Sequence, residues 1–285
     1  MIRRALLAAL LLAVPQLAEA VTVTFTVQTQ NVLRFGHGRR LATQCTAIDT
    51  LAPQVDFIVM QEVMAAGYPC EAAYNNKGVN GARPVNFSYR PSGYKGQSSY
   101  VEYYGILYRT AAAGGRTVTV AYLDQNDNLG TYANFARPPY GARFRVTDTA
   151  TNQACNVWIV DFHAVFGKTI AGRRAEAEAM ETVYNNLRGL NNGAVLIVGD
   201  WNLDAVDDAF DWVDSVANQA SIDPNVQTSL TRAGLPSSEY DHAVSQKGPP
   251  MSVAQITTYP ASPYVTWRND VSDHLGVRLN VTVNC

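Results

Sequence analysis

Two packed β-sheets flanked by helices, an α/β sandwich, is the architecture this sequence predicts. Three observations carry the prediction. Apolar side chains alternate with period two near both ends of the chain, short apolar runs recur between those ends, and two stretches repeat their apolar residues at helical spacing. No Pro/Ser-rich linker or charge-block boundary divides the sequence, so one domain over residues 21–285 is expected.

The first 20 residues read as a secretion signal: Arg3 and Arg4 precede an apolar stretch from Ala5 to Val14, and Ala18-Glu19-Ala20 offers small residues for cleavage. The stretch is too short to span a bilayer. From Val21 to Gln30 apolar residues alternate with Thr and Gln, the pattern of a strand with one buried face. Leu41, Cys45, Ile48 and Leu51 then recur at helical spacing, and Pro53 is expected to close that helix. Strands are predicted at Phe57–Met60, Tyr103–Tyr108, Val118–Leu123, Val157–Val160 and Ala194–Val198. Met180, Val183, Tyr184 and Leu187 mark one face of a helix from Arg173 to Leu190, and Asp207–Val216 reads as a shorter helix with Phe210, Trp212 and Val213 inward. Leu275, Val277, Leu279, Val281 and Val283 alternate again in a final strand.

Removing Arg3, Arg4 and Glu19 with the leader leaves 20 Lys+Arg against 23 Asp+Glu, a formal charge of about −3. Non-specific binding to nucleic acid draws on net positive charge, so a storage or architectural role is disfavoured. Any such contact must be local or metal-assisted. Four cysteines in an exported chain imply two disulfides, for which three pairings exist. Cys45–Cys70 with Cys155–Cys285 is the favoured pairing, because a cysteine opening one strand can staple the C-terminal tail. Zinc ligation is disfavoured, since no CxxC pair is present.

The apolar runs end repeatedly in polar residues: Gln30-Asn31, Gln61-Glu62, Asp161-Phe162-His163, Gly199-Asp200-Trp201-Asn202, and Ser272-Asp273-His274 before the last strand. A chain that needed only a core would have little reason for this, because burying unpaired polar groups is costly. Any one strand-end acid can be a solvated terminus. Converging carboxylates and imidazoles instead suit metal-assisted hydrolysis. Mg²⁺ prefers oxygen ligands, usually one or two carboxylates with water and phosphate.

With these strings the chain resembles the endonuclease/exonuclease/phosphatase superfamily, and within it the secreted deoxyribonuclease I type. The resemblance runs from Thr26 to Val283. It rests on eight elements in order: Gln30-Asn31 with Phe35-Gly36, Gln61-Glu62-Val63, Ser99-Tyr100-Val101-Glu102-Tyr103, Phe135-Ala136-Arg137-Pro138-Pro139, Phe162-His163-Ala164, Gly199-Asp200-Trp201-Asn202, Tyr240-Asp241 and Ser272-Asp273-His274. It implies a deoxyribonuclease I-like fold and a Mg²⁺-dependent endonuclease, with Mn²⁺ as substitute ion. DNA is the implied substrate, with RNA the second candidate. A monomer without stable membrane association is expected, a toxin-type nuclease subunit with partner subunits being the variant. A phosphatase or phospholipid-headgroup phosphodiesterase on the same scaffold is the main alternative.

The resemblance also assigns roles. Glu62 leads as metal ligand, with Asp273, Asn31 and Asp200 as direct or water-mediated support. His274, oriented by Asp241, is assigned as the base for the attacking water, and His163, paired with Glu102, as the acid for the leaving oxygen; these two labels are interchangeable at this level. Asn202 and Arg137 are assigned to the scissile phosphate, and Tyr100 to sugar or base. Two departures stand out. Met64 occupies the place of a groove-reading arginine, which weakens the case for duplex DNA, and Glu239 stands where the family has a cysteine before the Tyr-Asp pair. Asp124-Gln125-Asn126-Asp127-Asn128 is dense in oxygen ligands and resembles a structural Ca²⁺ loop, with a solvated turn as the alternative. His37 and His242 are expected at the surface.

Overall fold

The structure, a computed structural model, describes residues 21–72, 82–97, 101–167, 169–190, 194–215, 219–222, 226–246 and 251–285. The leader at residues 1–20 and Tyr100 lie outside the described residues. Twelve strands form two six-stranded sheets. The first sheet contains β1 (Thr22–Phe35), β2 (Phe57–Val63), β3 (Phe87–Pro91), β4 (Tyr103–Arg109), β11 (Met251–Tyr259) and β12 (Gly276–Asn284), in the order β11-β12-β1-β2-β4-β3. The second contains β5 (Val118–Asn126), β6 (Tyr140–Asp148), β7 (Gln153–His163), β8 (Ala194–Asp200), β9 (Gln219–Ile222) and β10 (Asp241–Gln246), in the order β5-β6-β7-β8-β10-β9.

Each sheet has one parallel pair at its centre, β1 with β2 and β7 with β8. A parallel pair needs a crossover, and a helix supplies each: α1 (Leu41–Leu51) and α3 (Ala171–Arg188). Short helices α2 (Pro69–Ala72), α4 (Asp211–Ser215) and α5 (Val265–Asp270) complete the chain. Phe25, Phe57, Tyr104, Phe144 and Ile159 lie in the core between the sheets. Separate apolar layers join α1 to the outer face of the first sheet and α3 to that of the second. Two packed sheets flanked by helices is therefore the architecture found.

The predicted elements exist, and most run longer than their apolar runs. The first strand continues through Asn31 to Phe35, because α1 and the opposite sheet cover both faces and strict alternation stops after Phe25. Pro53 does not end helical structure outright: a 3₁₀ turn, Ala52–Gln54, carries on past α1 with the proline near its start, where a missing N–H costs nothing. Strands β3, β6, β9, β10 and β11 carry no expectation above. Both favoured disulfides are present, Cys45–Cys70 and Cys155–Cys285, with sequence separations of 25 and 130. The longer link ties the end of β12 to β7, and closing so long a loop restricts the unfolded chain by about 5 kcal/mol in the entropy model.

The supposed calcium loop is largely strand. Asp124 and Asn126 lie in β5, Asp124 pairs with Arg143, and Asp127 accepts from the Gly93 N–H at 2.8 Å. Asn126 accepts from Asn128 N–H, while Asn128 accepts from the ammonium of Lys95, a lysine only 1% exposed. Lys95, Arg143 and backbone donors thus engage several of these oxygens, whereas Asp124 Oδ1 is buried and accepts no hydrogen bond among the described residues. His242 is not at the surface either: its Nε2 lies 2.7 Å from Leu203 O and its ring packs edge-on against Phe210. His37 is exposed, as expected.

Candidate active site

Strand register assembles the site. His163, Asp200 and Asp241 face one another across β7, β8 and β10, since His163 pairs with Asp200 and Asp200 with Asp241. On the first sheet Asn31 pairs with Gln61, which places Glu62 at the end of β2. Packing of the sheets brings the two groups together at the same end of the sandwich. The Asn31 side-chain amide crosses between them, donating from Nδ2 to Glu62 Oε1 at 3.1 Å and to Asp200 Oδ2 at 3.0 Å.

The backbone is bent to make this possible. Glu62 and Asn202 take positive φ of 59° and 50°, conformations uncommon for side-chain-bearing residues. Gly199 has φ of 153°, and a Cβ there would lie 1.8 Å from the Phe162 carbonyl oxygen, so only glycine lets β7 and β8 approach just before Asp200.

The two imidazoles are held alike. His163 Nδ1 lies 3.0 Å from both Glu102 oxygens, and His274 Nδ1 lies 2.7 Å from Asp241 Oδ2. Their free edges converge: His163 Nε2 is 3.5 Å and His274 Nε2 3.6 Å from the same Asp200 oxygen. Burial pushes the Asp200 carboxyl up, but His274 and His163 outweigh it and hold it below its ordinary value. Burial pulls His274 down, yet Asp241 and Asp200 raise it well above the usual imidazole value. Burial and Arg137 likewise lower His163, and Glu102 with Asp200 more than restores it. The imidazoles are therefore more basic than isolated ones.

His274 is fixed from behind as well. Its carbonyl accepts from Trp267 Nε1 at 2.8 Å and from Gln30 Nε2, while its N–H donates to Ser272 Oγ. Ser272 in turn donates to Asn31 O at 2.6 Å.

Arg137 and Asn202 line the same cavity, of about 720 Å³, yet both are turned partly inward. Arg137 donates from Nε to His163 O and from Nη2 to Ala164 O, and its Nη1 lies 3.4 Å from Glu102. Asn202 Nδ2 donates to Ala164 O at 3.2 Å. They brace the loop after His163 in addition to facing the cavity.

The donor set suits a hard divalent cation. Glu62, Glu102, Asp200 and Asp273 all line this cavity. Glu62 is partly exposed there, its carboxyl pushed up by burial, with His163 opposing and Glu102 adding to the rise. Asn31 Nδ2 serves two of these carboxylates, and its Oδ1 accepts from Leu33 N–H. Asp200, Asp241 and His274 also bring one ligand atom each within 4.8 Å of the others. Within that trio Asp241 Oδ2 lies 2.7 Å from His274 Nδ1, while Asp241 Oδ1 is buried and accepts no hydrogen bond among the described residues.

Two residues given no role above matter here. Glu176, on the buried face of α3, accepts from Ala136 N–H and Val165 N–H, both at 2.6 Å. It thereby ties together the loops carrying Arg137 and following His163. An acid one turn before Met180 on an otherwise apolar stripe is the signal that marks it. Asp161 is wholly buried between the sheets and accepts from Gln61 Nε2 at 2.6 Å. Burial drives its carboxyl well above the ordinary value, Gln61 opposing and Glu102 reinforcing. A raised acid keeps a proton in the folded state that the unfolded chain releases, so its contribution to stability falls as pH climbs from about 4 through the folded pKa. Asp161→Asn should therefore raise stability by ~1–2 kcal/mol at pH 8, with the gain shrinking toward pH 5. Thermal melting at the two pH values decides this, and a variant that melts lower at pH 8 would contradict it.

No family model matches the chain. Over 161 residues, 55% of this chain, it is 30% identical to a protein named deoxyribonuclease from Thioalkalivibrio sp. (strain K90mix), and the chain spans 41% of that relative's length. Among solved structures it is similar to an endonuclease/exonuclease/phosphatase family protein from Bacteroides thetaiotaomicron, with TM-score 0.60, 14% identity and coverage of 93% of this chain and 99% of that one. It is also similar to a mannosyl-6-phosphatase of the same organism, with TM-score 0.54, 15% identity and coverage of 90% and 99%. These likenesses span nearly the whole chain, and the chain has the endonuclease/exonuclease/phosphatase fold.

Proposed function

We propose that this protein is a Mg²⁺-dependent phosphodiesterase that cleaves DNA internally by in-line attack of water on phosphorus. The observation that carries the reading is the pair of imidazoles, each held at Nδ1 by its own buried carboxylate and each presenting Nε2 beside Asp200. Hydrolysis of a phosphodiester needs a proton removed from water and another given to the leaving oxygen, and two opposed imidazoles can do both. In its neutral form His274 Nε2 accepts the proton from water, and Asp241 stabilises the resulting charge. His163 Nε2 delivers a proton to the leaving oxygen, with Glu102 fixing the ring. Arg137 and Asn202 orient the phosphoryl oxygens, and Asp200 keeps both rings aimed at the reacting phosphorus. Glu62 and Asp273 would hold the cation, which when bound supplies charge stabilisation at the phosphoryl group.

The deoxyribonuclease likeness and the eight ordered motifs favour DNA. The mannosyl-6-phosphatase neighbour supports the second reading, a phosphatase or headgroup phosphodiesterase on the same fold. Export to an oxidising compartment fits the two disulfides and the N-terminal charge and apolar pattern. No helix among the described residues is long and apolar enough to cross a membrane.

Incubating the mature protein with supercoiled DNA, RNA, a sugar phosphate and phospholipid vesicles tests the assignment. Mg²⁺-dependent nicking of supercoiled DNA before mononucleotides accumulate is expected. Hydrolysis of the sugar phosphate or the phospholipid alone would replace the nuclease reading with the second one.

A further inference from the structure

Helix α1 buries Leu41, Cys45, Ile48 and Leu51 against the first sheet, and Gln44 lies within that apolar stripe, 0% exposed. An amide in such a layer costs free energy unless its polar atoms are paired. Only one end of it is. Gln44 Nε2 donates to three carbonyls, Val32 O at 2.6 Å, Leu33 O at 3.0 Å and Val271 O at 3.1 Å, while Oε1 is buried without a hydrogen bond among the described residues. The amide carries two N–H protons, so three acceptors share two donors. A methionine would fill the same space with no orphaned oxygen, so packing alone does not account for the residue.

The three carbonyls belong to the two segments that lead to Glu62 and to His274. On one side, Leu33 and Arg34 take left-handed backbone angles, φ of 47° and 56°, which side-chain-bearing residues seldom hold unaided. Their N–H groups serve the site: Leu33 N–H donates to Asn31 Oδ1, and Arg34 N–H to Glu62 Oε2 at 3.1 Å. On the other side, Val271 leads into Ser272, whose Oγ accepts from His274 N–H and donates to Asn31 O. Arg40 and Thr43, at the start of α1, reach the two preceding carbonyls, Asn269 O and Asp270 O. Three successive carbonyls at the end of α5 are thus held by the first turn of α1, and Gln44 extends that hold to β1. The helix is itself tied down beside Gln44 by the Cys45–Cys70 disulfide.

We propose that Gln44 is a positioning residue for phosphodiester hydrolysis, its single amide setting the spacing between Glu62 and His274 through Leu33 and Val271. This rests on the phosphodiesterase reading above and deepens it, because a misplacement of about 1 Å in a catalytic group costs rate steeply.

The test measures kcat and KM on bis(4-nitrophenyl) phosphate, and the Mg²⁺ concentration giving half of the ion's stabilising effect in thermal melting, for Gln44→Met alone and combined with His274→Ala. Gln44→Met should lower kcat about tenfold with KM within about twofold of wild type. It should also raise the half-effect Mg²⁺ concentration about threefold. A loss of fold stability alone would lower the melting temperature and move neither quantity while the protein stays folded. In the His274→Ala background the kcat loss from Gln44→Met should shrink to about twofold or less, because the base that it places is gone. Gln44→Lys brings three N–H donors on a longer stem and should stay within about threefold of wild-type kcat. If Gln44→Met does not fold, Gln44→Lys decides the matter alone. Unchanged kcat and Mg²⁺ response in folded Gln44→Met, an undiminished loss in the His274→Ala background, or a Gln44→Lys that is unfolded or about tenfold slower than wild type would overturn the inference and leave the phosphodiesterase reading standing. A wild type that hydrolyses no phosphodiester would overturn that reading, and this inference with it.

Discussion

His274→Ala should lower kcat on DNA at least ~10²-fold, and His163→Ala should fall in the same range, because each removes a positioned proton carrier. The proposed assignment gives the two losses different signatures. His163 serves the leaving oxygen, so its removal should matter less when the leaving group is 4-nitrophenolate, which departs without a proton. His274 serves the attacking water, and its loss should persist with any leaving group. Comparing the two variants on DNA and on bis(4-nitrophenyl) phosphate separates the roles. Rescue of His274→Ala by the activated diester would exchange the labels, and near wild-type turnover in His274→Ala at limiting enzyme would remove it as the base. Asp241→Asn should reproduce part of the His274 loss, since the 2.7 Å bond at Nδ1 fixes the ring and raises its basicity.

These histidines were legible in the sequence because each closes or precedes an apolar run, in Phe162-His163 and Ser272-Asp273-His274. Their carboxylate partners were not legible from spacing. Glu102 is 61 residues from His163 and Asp241 is 33 from His274, and only the family resemblance linked them. The strands with strong alternation or compact apolar runs were visible as well. Strands such as β10, which begins Asp241-His242, hide their character behind polar residues that are buried only because β8 lies alongside. The positive φ at Glu62 and Asn202 leaves no mark in composition, since neither residue type demands it. The calcium expectation has the same limit: oxygen density is readable in a linear segment, whereas the lysine that meets it comes from about 30 residues upstream.

Chelation should abolish activity and Mg²⁺ should restore it, and Glu62→Gln should raise the Mg²⁺ concentration for half-maximal rate by at least about tenfold. Both oxygens of Glu62 are engaged, Oε1 by Asn31 Nδ2 and Oε2 by Arg34 N–H. A glutamine can accept at only one of those positions, so the substitution removes a negative charge and also leaves one donor facing another. A readout independent of turnover follows from linkage. Mg²⁺ should raise the melting temperature of the wild type as its concentration passes the dissociation constant, and this rise should largely vanish in Glu62→Gln and weaken in Asp273→Asn. Asp273 has a partly exposed side chain, 3.7 Å from Arg268, and its charge also helps to raise His274. The competing arrangement, with the cation held by Asp200, Asp241 and His274, makes the opposite prediction. If Asp241→Asn removes the Mg²⁺-induced stabilisation while Glu62→Gln keeps it, the metal lies within that trio, and His274 is then a ligand and no longer available as the base.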